Sequence, residues 1–231
     1  MHLFKQPAFF LAPNVPSIIS SFGRFVVASA AIVSLFAASP ALAQFGTNLV
    51  VNGGAEAGPS SANGDAVSPI PGWTLYSAPS VIKYVNNGPF PKLSSPGPAG
   101  RGEQFFAGGW TASSQIFQTI DLYFAAIEID SKSVTFDCSG WLGGFRAEND
   151  NVNVTIYFMD EGWTTIGTFQ LGYVNATARQ YVTGMKLSQV SGIVPAGTRR
   201  VLFTVNFFRK YGSYNDAYAD NLYLSLRNAG E

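Results

Sequence analysis

Histidine is almost absent, with His2 the only one in 231 residues. It falls in a segment that reads as a cleaved leader, so the mature chain has no imidazole to serve as general base, proton shuttle or metal ligand. That excludes Ser-His-Asp and Cys-His nucleophiles, zinc hydrolase centres and 2-His-1-carboxylate iron sites. Cysteine is as scarce. Cys138 stands alone, which rules out an internal disulfide and any cysteine-rich zinc site. Its place in the alternating run Val134-Thr135-Phe136-Asp137-Cys138 marks it as a small buried residue with an inert thiol. Charge is sparse, at 12% of residues, and Arg199-Arg200 and Arg209-Lys210 are isolated pairs rather than a basic patch. Nothing here tracks a phosphate backbone, so nucleic acid is not an expected partner. Two carboxylates can run a histidine-free glycosidase, but the spacing of Glu103, Glu128, Glu148 and Asp150 singles out no such pair.

Long apolar runs are missing too. The stretch from Phe25 to Phe36 is too short to span a ~30 Å hydrocarbon core. It follows Lys5 and Arg24 and precedes Ala41-Leu42-Ala43, the pattern of a secretory signal peptide cut after Ala43. The expected organisation is therefore residues 1–43 as signal peptide and residues 44–231 as one module, exported to the periplasm or outside the cell. Without Lys5 and Arg24, the 14 basic residues become 12 against 14 acidic ones, a net charge near −2. No second apolar segment follows, so the mature chain is not expected to insert in a membrane. Its 188 residues suffice to bury a core without crosslinks.

What the sequence does have is aromatic and β-branched residues in short alternating runs, punctuated by Gly and Pro. Val152, Val154, Ile156 and Phe158 share one face of a strand, as do Leu222, Leu224 and Leu226 of the last one. Strands are expected at 48–52, 74–84 with an interruption at Pro79, 103–107, 113–121, 133–142, 152–160, 164–173, 185–190, 199–209 and 217–226. Helix is expected only within 122–129, where an irregular crossover is equally compatible. The fold class is all-β: a two-sheet antiparallel β-sandwich.

The opening run Asn48-Leu49-Val50-Val51-Asn52-Gly53-Gly54-Ala55-Glu56-Ala57-Gly58, the later Pro71-Gly72-Trp73 and the closing Asp216-Ala217-Tyr218-Ala219-Asp220-Asn221-Leu222-Tyr223-Leu224 resemble the galactose-binding-like jelly roll. The likeness is to carbohydrate-binding modules and the F-box-associated sugar-binding domain. It extends through Phe105 to Gly109, Gln118 to Leu122, Ser139 to Phe145 and Gly212 to Asp216, as in secreted bacterial proteins of this type. The resemblance implies a structural Ca²⁺ ion held by Glu56 and Asp220. Carboxylates beside the first and last strands would let a hard cation that wants 6–8 oxygens tie the termini together. The competing reading of the same residues is an ion pair or turn cap for Glu56 and a backbone hydrogen bond for Asp220.

Sugar recognition requires flat apolar faces for pyranose C–H groups and a few polar groups for hydroxyls. Trp110 follows Gly108-Gly109, as at a loop tip, and is a candidate either for a binding platform or for loop packing. Trp141 ends a strand just before Gly143-Gly144, beside a polar loop in which Arg146 and Asn149 can read hydroxyls, a stretch equally compatible with a solvated hairpin end. Tyr214 and Asn215 sit in a turn before the last strand, where Asn215 or Asp216 could equally cap backbone amides. Trp73 is expected to anchor the core, and Trp163 to pack on a hairpin. The expected function is a secreted, non-catalytic carbohydrate-binding module recognising a carbohydrate or glycosylated surface. The alternative is an extracellular structural or adhesive protein using the same sandwich for protein contacts.

Overall fold

The computed structural model describes residues 44–85, 88–172 and 174–230; the expected signal peptide lies outside them. Ten strands run in the order β1 (Thr74–Tyr76), β2 (Ser80–Lys83), β3 (Gln104–Gly109), β4 (Ser113–Asp121), β5 (Val134–Gly144), β6 (Asn151–Met159), β7 (Thr165–Leu171), β8 (Gly184–Ile193), β9 (Arg200–Phe208) and β10 (Asn215–Asn228). A 3-10 turn at Tyr123–Ala125 and the short helix α1 (Ala126–Asp130) link β4 to β5, in the segment where helix was expected. The strands form two antiparallel five-stranded sheets, ordered β1-β4-β9-β6-β7 and β2-β3-β10-β5-β8.

Period-two alternation builds the core. Val152, Val154, Ile156 and Phe158 of β6 oppose Phe207, Val205, Phe203 and Val201 of β9 and point inward. Phe136, Cys138 and Leu142 of β5 and Leu222, Leu224 and Leu226 of β10 meet them from the second sheet. Burial pushes the Cys138 thiol up to about 12, which keeps it protonated. Trp73 anchors the same core, edge-on to Phe106 with centroids 5.5 Å apart, its indole N–H donating to the Asn52 carbonyl at 3.1 Å. The outer face of the first sheet is wet, with a hydrogen-bonded amide row from Gln115 through Asn206 to Asn153. The outer face of the second sheet carries its own apolar cluster of Ile82, Tyr84, Phe90, Phe105, Met185, Tyr214 and Tyr218.

Two expectations are corrected. The stretch 48–52 forms turns rather than a strand. The Asn48 amide oxygen accepts from the N–H groups of both Val50 and Leu224, and Asn52 takes a positive φ of 51°. A side chain that competes for backbone partners favours a turn over a ladder. The run 74–84 is two strands in different sheets: Ser77 at φ 63° and Pro79 turn the chain from β1 to β2. Proline supplies no N–H for a continuous ladder, so the corner falls there.

Candidate functional site

At one end of the sandwich the loops gather aromatic side chains around a hollow. Gly109 takes φ 82°, and a Cβ there would lie 2.3 Å from the Ala78 carbonyl oxygen. Only glycine fits, and the chain leaves β3 sharply enough to put Trp110 outside, 56% exposed. Its ring stands edge-on to Tyr214 at 5.0 Å and 81°. Tyr214 in turn packs edge-on to Phe90 at 5.4 Å, and Gly64 leaves room for it, since a Cβ there would reach the ring at 2.5 Å. Burial pushes the Tyr214 phenol upward, and its hydroxyl is buried without a hydrogen-bond partner. Phe145, just past β5, completes the aromatic wall. The hollow encloses about 340 Å³ and is lined by these rings with Ala62, Asn63, Pro89 and Asp216.

An acidic cluster supports this end. The buried Asp150 carboxylate accepts the backbone N–H groups of Lys210, Tyr211 and Asp216, bolting the loop after β9 to the one before β6. Asp216 accepts the Tyr218 hydroxyl. Burial is the main cause that raises the Asp216 carboxyl to about 7; the Tyr218 hydrogen bond opposes it, and the Glu148 and Asp150 carboxylates add to it. Ligand oxygens of Glu148, Asp150 and Asp216 lie within 4.8 Å of one another, close enough to hold a metal ion. The buried Arg179 braces the loop 145–149 from behind, donating to the carbonyls of Gly144, Arg146, Val182 and Glu148.

The sequence-expected ligand residues part company here. Trp110 and Tyr214 meet in the hollow, Trp110 as an exposed face and Tyr214 as a mostly buried floor. Arg146 stays at the rim, its guanidinium 4.9 Å from the Phe145 ring centroid. Asn149 is exposed and lines a separate polar hollow, its Oδ1 accepting the Ala176 N–H at 3.2 Å. Asn215 does not reach the site: it is fully buried, and its amide occupies the space left by Gly108. Its Oδ1 accepts the Ala217 N–H, a capping role inside the chain. Trp141 sits on the outer face of the second sheet opposite Asp220 and Leu187, partly packed into the apolar cluster there, and does not line the hollow. Trp163 lies 55% exposed on the β6–β7 turn with the Arg200 guanidinium 4.5 Å from its ring. Phe90, Phe145 and Asn63 were not legible as site residues. Only the glycine pair before Phe145 hinted at a loop tip, and Phe90 arrives from a long turn-rich segment.

Glu56 and Asp220 converge elsewhere. A Cβ on Gly54 would lie 3.3 Å from Asn221 Oδ1, 3.7 Å from Glu56 Cγ and 3.8 Å from Asp220 Oδ1. The Glu56 carboxylate accepts the N–H groups of Glu103 and Gln104 at 2.9–3.1 Å. The buried Asp220 accepts the Tyr84 hydroxyl and the Asn221 N–H, both at 2.7 Å. Burial raises the Asp220 carboxyl to about 7, opposed by the Tyr84 and Asn221 hydrogen bonds. A bulge in β10 creates the place: Asn221 and Leu222 together face Gly140 between the Asp220–Trp141 and Tyr223–Ser139 pairs. That extra residue turns Asn221 toward the opening segment.

No family model matches the chain, and no curated protein matches it. Among solved structures, a CBM4 module is 16% identical over 77% of this chain and 99% of its own, with a TM-score of 0.40. The CBM22-1 xylan-binding domain of a Paenibacillus barcinonensis protein is 14% identical over 74% of this chain and 94% of its own, with a TM-score of 0.37. The enzymatically active domain of Bacteriophage CBA120 tailspike protein 4 is 16% identical, with a TM-score of 0.46; the alignment covers 78% of this chain but only 21% of that one. The fold is a two-sheet antiparallel β-sandwich. Among the described residues no helix is long and apolar enough to cross a membrane.

Proposed function

We propose that the protein is a secreted, non-catalytic carbohydrate-binding module whose sugar stacks on Trp110 in the aromatic hollow. The observation that carries this is the half-exposed indole at the mouth of a hollow that also presents the Asp216 carboxylate and the Asn63 amide. An aromatic face takes up pyranose C–H groups, and a few fixed polar groups read hydroxyls. A volume of about 340 Å³ is within the range of small-ligand sites. The acidic cluster supports binding over hydrolysis. Asp150 is buried and engaged by three backbone amides, so this carboxylate holds the loops together rather than standing free as an acid or nucleophile.

In the same reading, Glu56 and Asp220 hold a structural calcium. The Asp220 carboxylate, the Asn221 amide oxygen and the Glu56 side chain come together near Gly54, and a buried carboxylate raised to about 7 is one that a cation would relieve. The ion would supply a crosslink between the opening segment and β10. A glycan-array screen in calcium and again in excess chelator tests both parts. Specific binding supports the module, and loss of thermal stability in chelator supports the ion. A blank array from folded protein would sink the sugar reading in favour of an adhesive or structural protein.

A further inference from the structure

Beside the aromatic hollow, a second one of about 480 Å³ is lined by Asn149, Asn151, Asn175, Thr177, Lys210 and Tyr211. It has the opposite character, with three amides, a hydroxyl and an ammonium around one tyrosine that is 61% exposed. Two loops contribute to both hollows, and the β7–β8 loop adds Asn175 and Thr177 to the second. The β5–β6 loop sends Phe145 to the first, while Asn149 and the following strand residue Asn151 turn to the second. The β9–β10 loop sends Lys210 and Tyr211 to the second and Tyr214 to the first. Gly212, at φ 67°, lies in the chain between Tyr211 and Tyr214 and brings no side chain of its own; a Cβ there would meet only Glu148 Oε2, at 3.9 Å.

The second hollow is also held in shape before any ligand arrives. Asp150 fixes the backbone of Lys210 and Tyr211, Asn149 caps the Ala176 N–H, and Asn175 caps the Ala178 N–H at 2.7 Å. Preformed polar groups lose little ordering entropy on binding. Each amide can both donate and accept, which matches adjacent hydroxyls, whereas the apolar surface needed to drive binding alone is small. A site rich in hydroxyl readers but poor in apolar surface suits the continuation of a ligand already anchored next door.

We propose that this polar hollow is a second subsite for further units of the same sugar chain, so that the ligand is an oligosaccharide rather than a monosaccharide. The inference rests on the aromatic hollow being a sugar site. Subsites joined through one ligand reinforce each other, because the second contact forms at high effective concentration.

The test is calorimetric titration with neutral gluco-, xylo- and manno-oligosaccharides of one to six units. Wild-type protein should gain about tenfold or more in affinity between one unit and the longer members. Tyr211→Ala, at an exposed ring, should abolish that gain while leaving single-unit affinity and melting temperature unchanged; Trp110→Ala should weaken all lengths. Affinity independent of length, or a gain that survives both Tyr211→Ala and Lys210→Ala, overturns the second subsite and leaves the first intact. If no member of the series binds, the sugar reading falls together with the subsite.

Discussion

Asp216 and Asp220 stand four residues apart on β10, and burial raises both carboxyls to about 7. Their surroundings nevertheless differ in kind. Asp220 is fully buried, hydrogen-bonded to Tyr84 and Asn221, and set beside Glu56 from the opening segment. Asp216 is only partly buried, shares its space with two more carboxylates, and faces an open aromatic hollow. The comparison shows that a perturbed carboxyl on this strand does not by itself signal function. What it touches differs: Asp220 lies between the opening segment and β10, and Asp216 lines the hollow proposed to take a sugar.

The sharpest way to break that contrast is through stability. Asp220→Ala strands the Tyr84 hydroxyl and the Asn221 N–H in the interior, a loss of about 2–4 kcal/mol. At this chain length that is a fall in melting temperature of roughly 4–16 °C. Asp216→Asn should cost much less, and equal losses in thermal denaturation would erase the distinction. Binding should show the reverse order: Asp216→Asn weakens affinity for the sugar several-fold, while Asp220→Asn in calcium-free buffer leaves it within about twofold.

Acidity separates the two next. Each carboxyl has a folded value near 7 against an ordinary 3.8, so the folded state holds the proton more tightly. Their contribution to stability is complete below about pH 4 and declines as the pH rises to about 7, then levels off. In chelator, Asp220→Asn and Asp216→Asn should each flatten part of that decline in melting temperature. Sugar affinity should rise by a few-fold between pH 6 and 8, as Asp216 ionises and becomes a better acceptor for hydroxyls. Asp216→Asn should remove that slope, and a slope persisting in this variant would assign it to another group. Calcium at a hundredfold excess over its dissociation constant should stabilise the protein by about 2.7 kcal/mol. Glu56→Gln should largely remove that increment without altering sugar affinity. The smallest effect expected is at Arg146, exposed and stacked on Phe145: Arg146→Ala should change affinity by less than about threefold.

The long alternating strands were legible because their pattern has no competing local signal. Ser113–Asp121 coincides with β4, and the expected runs at 152–160 and 199–209 differ from β6 and β9 by a residue or so at each end. The reading failed at 48–52, where the Asn48 side chain decided the backbone, while the break at Pro79 was legible but not that it sends the two pieces to different sheets. In the site, Trp110 was visible because two glycines before an aromatic mark a loop tip. Asn215 was misplaced because β10 begins at that residue, earlier than its apolar run, and so carries the amide inside. Phe90 and Asn63 join the hollow only through tertiary packing, and no local pattern could pair them with Trp110 across so much chain. Asp150, with three amide partners from distant residues, shows the same limit for the support beneath the site.

The central claim is that Trp110 is a ligand platform rather than a packing residue. The direct measurement is the affinity of wild-type protein and Trp110→Ala for the tightest-binding glycan of an array, with melting temperatures taken on the same samples. The account predicts that affinity falls at least about tenfold while the melting temperature moves by no more than about 2 °C, the ring being half in water. Unchanged affinity, or a large fall in stability with binding intact, would contradict it.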